Sequence, residues 1–547
     1  MALTEHADLV IIGSIYTFNK RLEVAEAIAV KGNRIIYVGG RSGVDRYIGL
    51  DTIVIDVGEK GVTPGLIDTH AHMAVWGLYR TRYIDLSYPG VDSIKKLIEV
   101  VREAAEKRKE GEWILGRGWN QAYYPEGRMP NRWDLDEATT KHPVVLWHTS
   151  GHMVVANSLA LEIAGIKRGV ESPPGGVIER DSEGEPTGIL AEKPSIELVV
   201  KEIPRPTKRE WIEAIRHTMR EWVSEGITAV KDPTSHEYTR DILEAYRDIR
   251  KSGEQLVRIV ALYWAQSLKE LRDGESYISS TEDPWLRVPG IKIILDGAIS
   301  TRTAWISGKY RGYPETSGLP ILSLEEFREM VLEAMSKGYM ISIHAIGDMA
   351  IEEVVGAYEE AYRRGWKRSI LTIIHFMLPR DDHIERLRSL SGYAEVQSGF
   401  IYFLAEAYRK NLYIDIYNKI LPIKKMIDSG LTVCNGSDAP VIPYPPRYGI
   451  YSAVTRLDMM GMELNRGEAI SIEQAFSTYT YEASKCLGME DIIGSIEVGK
   501  LADIVIWDRD PLKVKDPREL LEIKPLYTIV DGRIVYRSTN TQSPLQF

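Results

Sequence analysis

Eight short apolar runs, most of them separated by helical sequence, constrain this fold more than any other feature. They fall at 62–70, 227–232, 257–264, 290–296, 340–345, 371–376, 393–398 and 431–437. Short β-prone runs bounded by Gly or Pro read as buried strands, and strands alternating with amphipathic helices read as βαβ units in a parallel sheet. The helices carry their own signals. Thr207 and Glu210 form a capping-box signature, Ile212, Ile215, Met219 and Trp222 recur at helical spacing, and Gly226 ends the run before ITAVKD. Ser323 and Glu326 repeat the signature ahead of FREMVLEAMSKG. Eight parallel strands predict an α/β fold closed as a TIM-type (β/α)8 barrel. A doubly wound open sheet is the competing architecture, but no GxGxxG phosphate turn supports it.

The chain ends read differently. ADLVIIGSIYTF and EAIAVKGNRIIYVGG, the latter turning at Gly32 and Asn33, are strand-like. LADIVIWDRDP and LYTIVDGRIVY, turning at Asp531 and Gly532, offer matching strands at the other end. Residues 1–61 and 491–547 are therefore expected to form one small β-sandwich domain flanking a barrel over 62–490. Within that barrel segment, 75–203 breaks the regular alternation and is rich in Gly, Pro and aromatic residues, so it reads as an insertion over the barrel mouth. The run PVVLWH at 143–148 is assigned to the insertion.

Lys and Arg total 68 against 78 Asp and Glu, a net charge of −10, which attracts neither nucleic acid nor an anionic membrane. The first twenty residues have no basic n-region before an apolar run and no small-residue cleavage site, and no stretch nearby approaches an apolar twenty-residue span, so a cytoplasmic location is expected. Cys434 and Cys486 are the only cysteines, too few to staple a chain of 547 residues and consistent with a reducing compartment. The same count excludes a zinc-thiolate cluster. Glu, Lys, Arg and Ile are abundant while Gln, Asn and Cys are sparse, a bias of proteins from hot environments. The expected partner is a small-molecule substrate, and self-association is left open.

In closed barrels the chemistry sits where strands end, at the carboxyl edge. GVTPGLIDTHAHM places His70 and His72 there, two residues apart and so on one side of the strand. Lys292 lies in the fourth run, His344 closes the fifth, His375 the sixth, and Asp438 the eighth. Any one of them alone could be structural: a lone His at a strand end is more often a hydrogen-bonded core residue, and Lys292 could simply snorkel. Their recurrence at one edge of different strands points instead to a shared metal-binding or catalytic centre.

The set resembles the amidohydrolase superfamily, and within it the amidohydrolase-3 branch that includes N-substituted formamide deformylase-like and YtcJ-like proteins. The text that carries the resemblance is PGLIDTHAH at 64–72, GRGWNQ at 116–121, SGHMVVANS at 150–158, IKIILDGAISTRTA at 291–304, HAIGDMA at 344–350, GSDAP at 436–440 and GSIEVGKLADIVIWD at 494–508. The resemblance implies a centre of two divalent ions, with zinc the expected metal. His70 and His72 would bind the first ion and His344 and His375 the second, with Lys292 bridging them as an N-carboxylated lysine made with carbon dioxide. An ammonium cannot coordinate a cation, whereas a carbamate offers two anionic oxygens. Asp438 would bind a metal, accept a proton from the bridging water and return it to the leaving amine. Trp119, His152 and Arg302 lie in motifs that the branch places near substrate. Alternatively, Trp119 anchors the insertion's own core, His152 holds a turn and Arg302 pairs with an internal carboxylate. Two positions depart from relatives: Ile374 precedes His375 where Glu is frequent, and Ser398 follows Gln397 where Pro is frequent.

The function implied is hydrolysis of an amide-type, non-peptide C–N bond. A hydrolase of esters, lactones or phosphotriesters is the runner-up, and a non-enzymatic binding protein on a retired barrel is the reading from another class. A deaminase fits less well, since related deaminases carry an acid three residues after the strand-five His, where this chain has Gly347.

Overall fold

The computed structural model describes residues 6–279, 282–539 and 545–546. Eight parallel strands run in chain order around a barrel: β1 Leu66–Asp68, β2 Ile227–Asp232, β3 Arg258–Trp264, β4 Leu286–Ile294, β5 Met340–Ala345, β6 Leu371–His375, β7 Tyr393–Val396 and β8 Thr432–Asn435. The ladder breaks between β8 and β1, where the gap is spanned by Thr69 N donating to Asn435 O at 3.1 Å and Asp438 N donating to His70 O at 2.7 Å. Gly436 makes this approach feasible, because a Cβ there would stand 2.5 Å from His70 N. The doubly wound alternative is excluded.

The first expected strand divides in two. Residues up to Pro64 belong to the long strand Ile53–Pro64 of another sheet, and only Leu66–Asp68 enters the barrel. Gly65 sits at the crossover against Thr228, whose Oγ1 would lie 2.1 Å from a Cβ.

That other sheet joins the chain ends. Its order is 533–537, 525–530, 504–507, 53–64, 9–16, 24–31 and 34–39, with Leu545–Gln546 pairing beside Ile53–Pro64. Both predicted turns are present, at Gly32–Asn33 and Asp531–Gly532. The expected sandwich of two sheets is not what the pairing shows. Ile53–Pro64 is twelve residues long, enough to pair with Leu9–Tyr16 on one edge and with Ile504–Trp507 along its last residues on the other. The two arms thus form one sheet, and Ile11, Ile28 and Ile55 from one arm pack with Ile504, Tyr527 and Ile529 from the other. Arg258 of β3 is fully buried and ties the barrel to this sheet, reaching Asp503 at 2.6 and 2.8 Å and Asp531 at 3.0 Å.

Residues Gly77–His217 form a second compact unit, somewhat longer at its C-terminal end than the insertion expected at 75–203. It has its own six-stranded sheet, in which Val144–His148 is an inner strand, so the PVVLWH run belongs there as expected. The helix Ile94–Glu106 starts on a Ser93 cap and buries Ile94, Leu97 and Val101 in the core that also holds Trp119 and Leu146. The Thr207–Glu210 box forms in both directions, with Glu210 N reaching Thr207 Oγ1 at 3.2 Å and Thr207 N reaching Glu210 Oε2 at 2.7 Å. The Ser323 box is half made: Ser323 Oγ accepts from Glu326 N at 3.3 Å, but the Glu326 carboxylate accepts from Leu268 N instead. Among the described residues no helix is long and apolar enough to cross a membrane.

The two cysteines, judged from sequence too few to staple the chain and consistent with a reducing compartment, are paired. Cys434 in β8 and Cys486 at the end of the helix Tyr481–Cys486 form a disulfide across 52 residues of sequence. Both are fully buried, and the bond pins that helix to the strand leading to Asp438. Disulfides inside cells are rare except in hyperthermophiles, so this pair removes the support that cysteine usage lent to a reducing compartment. Closing a loop of this size contributes about 4 kcal/mol in the chain-entropy account. Cys486→Ala is therefore expected to lose about 2–4 kcal/mol of unfolding free energy. Guanidinium titrations with and without reductant check this: reduced wild type should unfold near the variant's midpoint, and coincident curves for oxidised wild type and variant would remove the staple.

Candidate metal centre

The residues picked out at strand ends converge. His70 and His72 follow β1, and Asp438 follows β8. One ligand atom from each of the three lies within 4.8 Å of the others. Asp438 Oδ1 is 3.3 Å from His70 Nε2 and 3.5 Å from His72 Nε2. The ring of His375 is 5.6 Å from that of His70 and 4.4 Å from that of His344, centroid to centroid. Lys292 is 1 % exposed, and in the ladder it lies level with Trp264 and Ser342.

Each histidine is held from behind. His72 Nδ1 meets Thr234 O at 2.6 Å, His375 Nδ1 meets Gln397 Oε1 at 2.6 Å, and His344 Nε2 meets Gly297 O at 3.1 Å. Those contacts leave Nε2 of His72, Nε2 of His375 and Nδ1 of His344 as the nitrogens that could face a metal, with Nε2 of His72 beside Asp438. Metal-binding histidines characteristically engage their far nitrogen in this way, which fixes ring and tautomer. His375, Asp438 and Thr234 all adopt left-handed backbone, with φ of 72°, 58° and 63°. Such conformations cost about 1–3 kcal/mol each in non-glycine residues and persist where the surroundings over-determine them.

The electrostatics suit cation binding. Burial, aided by Lys292, pushes His344 down to about 3, and burial with the neighbouring His344 pushes His375 well below the usual range, so both present neutral lone pairs. Burial favours the neutral acid of Asp438, but hydrogen bonds from His70 and His72 outweigh it and hold the carboxyl well below the usual range. Burial lowers Lys292 to about 7 even though Asp438 and Glu395 pull the other way. The donor set of imidazoles and carboxylate, with their far sides satisfied, fits divalent metal of the zinc type.

A layer of buried acids beneath these groups had not been singled out from sequence. Asp68 accepts from Ser437 Oγ at 2.6 Å, Ser437 N at 3.0 Å and His70 N at 3.1 Å, locking β1 to the turn that carries Asp438. Asp296 accepts from the backbone of Trp305, Ile346 and Gly347, each at 2.9 Å, and fixes the chain after His344. Asp232 accepts from Thr234 N, Ala74 N and the Tyr246 hydroxyl, which shapes the loop holding His72. Burial raises Asp68 and Asp296 to about 7. All three close or follow a barrel strand, so the strand-end rule that found the histidines would have found them too.

Trp119, His152 and Arg302 are the three residues expected near substrate. Trp119 is fully buried inside the Gly77–His217 unit, and its indole N–H donates to Leu146 O at 2.9 Å, which favours the packing role over substrate contact. His152, in the same unit, is exposed and faces Glu192 at 3.2 Å. Arg302 follows β4, has φ of 60°, and lies over the Tyr313 ring at 4.0 Å with a contact to Asn411 Oδ1 at 3.4 Å. Among the described residues its partners are an amide and a ring, and no carboxylate pairs with it. A second group of potential ligands, Glu352, Asp382 and His383, is occupied by Arg380 and Arg386 and reads as an ion-pair cluster.

Comparison with known proteins agrees with this geometry. Residues 53–536 match the family profile described as Amidohydrolase family, Amidohydro_3. The chain is 29% identical to an N-substituted formamide deformylase of Arthrobacter pascens, over 98% of this chain and all of that one. It is 28% identical to YtcJ of Bacillus subtilis, over 96% and 99% of the two chains. An uncharacterized metal-dependent hydrolase from Pyrococcus furiosus superposes with a TM-score of 0.76 at 27% identity, covering 92% of this chain and 100% of the other. With a profile that spans most of its length and a barrel edge built for it, this chain belongs to the amidohydrolase family.

Proposed function

We propose that the protein hydrolyses an amide-type, non-peptide C–N bond in a small molecule at a centre of two divalent ions. The observation that carries this reading is the meeting of His70, His72 and Asp438 within 4.8 Å, beside the paired rings of His344 and His375. His70 and His72 would hold one ion and His344 and His375 the other, with Asp438 and a carboxylated Lys292 completing the set; zinc is the metal these donors favour. When bound, such ions polarise a carbonyl and lower the pKa of water from 15.7 to about 7.

The chain's own groups do the rest. Asp438 is anionic, within reach of both strand-one imidazoles, and anchored by a turn that Asp68 and Ser437 brace. It is placed to take a proton from the attacking water and to pass it to the nitrogen that leaves. Phe400 stacks on the outer side of His375 at 5.8 Å, and Trp264 lies 5.8 Å from the His72 ring and 5.9 Å from Lys292 Nζ. These two aromatics limit water around the centre and leave it suited to a partly apolar substrate.

Deamination is disfavoured by space as well as by sequence. A Cβ at Gly347 would lie 1.9 Å from Trp305 O and 2.3 Å from Trp305 C, so the fold has no room for an acidic side chain there. The name of the Arthrobacter relative makes N-formyl and N-acyl amines the first compounds to try. Protein purified without chelator is expected to carry about two metal ions per chain, since six ligating side chains exceed what one tetrahedral ion takes. A stoichiometry at or below one, unchanged after zinc reconstitution, overturns the paired centre. Turnover of an amide series is expected to exceed that of the matching esters relative to their hydroxide-catalysed rates, and the reverse order reassigns the enzyme to esters.

A further inference from the structure

The barrel interior below the histidines holds charge where such barrels ordinarily stack Val, Ile and Leu. Lys231 of β2 and Glu395 of β7 are both fully buried, and Lys231 Nζ lies 2.6 Å from Glu395 Oε2. The other oxygen, Glu395 Oε1, lies 3.2 Å from His70 Nδ1. Behind the lysine, Nζ donates to Ser342 Oγ at 3.4 Å, and that hydroxyl accepts from Thr372 Oγ1 at 2.6 Å. A polar line thus crosses the barrel from His70, two residues past β1, through β7 and β2, to β5 and β6.

A pair of this kind is a poor stabiliser. Desolvating two ions costs several kcal/mol each, and apolar replacements of similar volume are often neutral or better. Stability therefore does not account for it, whereas its position against His70 does. Neither His70 Nδ1 nor either Glu395 oxygen makes a fully aligned hydrogen bond among the described residues, so the close contacts at 3.2 and 2.6 Å are what these buried atoms face. His70 Nε2 faces Asp438, so Nδ1 is the nitrogen turned away from the centre. His72 and His375 rest their far nitrogens on neutral oxygens, a backbone carbonyl and a glutamine amide; His70 meets a carboxylate whose second oxygen is gripped by a lysine.

We propose that Glu395, held by Lys231, is a positioning residue of the metal centre: it accepts the Nδ1 proton of His70 and thereby keeps Nε2 as the ligand atom. The proposal rests on reading His70 as a metal ligand. Carboxylates placed behind metal-binding histidines fix the tautomer and raise the basicity of the ligating nitrogen, and their loss costs about 10–100-fold in metal affinity. Lys231 orients the carboxylate by occupying the oxygen that His70 does not use.

Removing one partner leaves an uncompensated buried charge, so the test uses paired substitutions. Glu395→Leu with Lys231→Met removes both charges and the acceptor. Glu395→Gln with Lys231→Met removes both charges but keeps an amide oxygen for His70. Ser342→Ala alters the same layer without touching His70. Zinc affinity is read by competition with a chromophoric chelator, and folding by the melting temperature of the metal-free proteins. The Leu/Met variant is expected to bind one of its two zinc equivalents at least ~10-fold more weakly, the Gln/Met variant to recover most of that loss, and Ser342→Ala to stay within about twofold. A merely structural pair would shift melting temperatures and leave zinc affinity unchanged, and affinity within twofold of wild type in a folded Leu/Met variant overturns the proposal. A second readout needs no metal. In metal-free protein labelled with 15N at histidine, His70 should show a protected Nδ1 proton that the Leu/Met variant loses. Absence of that proton in the wild type also overturns the proposal. If instead the proton is present and wild type binds no zinc, the metal-centre reading fails while the contact stands.

Discussion

Asp438→Asn is expected to lower kcat by at least ~10²-fold on the best substrate while leaving the fold and the strand-one metal in place, because proton transfer by a positioned group contributes about 10² to 10⁴ in rate. The structure makes asparagine a clean replacement. The contacts of the Asp438 carboxylate run to His70 Nε2 and His72 Nε2, and an amide oxygen can still meet both. Its φ of 58° is one that asparagine tolerates better than most residues, so the backbone has no reason to move. A purely structural role as a cap for the following turn is already filled. Ala439 N is capped by Ser437 Oγ at 3.1 Å, and Val441 N is satisfied by the backbone oxygen of Asp438. What an amide cannot do is take up a proton and give it back. The loss should therefore fall on kcat and kcat/KM together, the mark of an interaction made in the transition state. Melting temperature and zinc content should stay close to wild type. Near-wild-type kcat in this variant would remove Asp438 from the chemistry, whatever becomes of the metals.

The reading of the sequence succeeded where side-chain identity and backbone period point the same way. The apolar runs at 340–345 and 371–376 each carry a histidine as their next-to-last residue, and the structure ends β5 and β6 within a residue of those bounds. The N-terminal end of β1 was misjudged because Val62 to Pro64 are as apolar as Leu66 to Asp68. Hydrophobicity cannot say which of two sheets buries a residue, and the crossover is visible only in the contact of Gly65 with Thr228. The single terminal sheet escaped for a related reason, since whether two hairpin sets stack or join edge to edge depends on the length of Ile53–Pro64 rather than on its pattern. The disulfide had no spacing motif to announce it, as 52 residues separate its halves and the barrel brings them together. Lys231 and Glu395 look like ordinary charged residues in strands that otherwise read as core. Their burial follows from which face of the barrel they take, and that is set by register. Trp119 kept two readings in the sequence, substrate contact or the insertion's own core, and its burial beside Leu146 is the packing that the second describes.

Lys292→Ala is the other large effect expected: loss of most bound metal and of turnover, with partial recovery when formate, acetate or propionate is added. Two buried lysines line the barrel interior, and the structure distinguishes them. Lys231 has its ammonium paired with Glu395 at 2.6 Å, so its nitrogen is engaged. Lys292 is 1 % exposed, and burial brings it down to about 7. Carbamate formation joins the free amine to carbon dioxide with loss of a proton, so the neutral fraction sets how readily it occurs. At pH 7 an amine titrating near 7 is about half neutral, whereas one near the ordinary value of about 10.4 is neutral in roughly one molecule in two to three thousand. The same comparison fixes the pH dependence. Zinc reconstitution of metal-free wild type with bicarbonate should proceed faster at pH 8 than at pH 6, and the alanine variant should show no such bicarbonate dependence. Truncation to alanine leaves a space beside Asp438 and His344 that a small carboxylate can enter, supplying the two oxygens that a carboxylated Lys292 would carry. Native mass of metal-loaded wild type should be heavier by one carboxyl group. Fully metal-loaded protein at the unmodified mass, or an alanine variant that keeps both ions without added acid, would take the bridge away from Lys292.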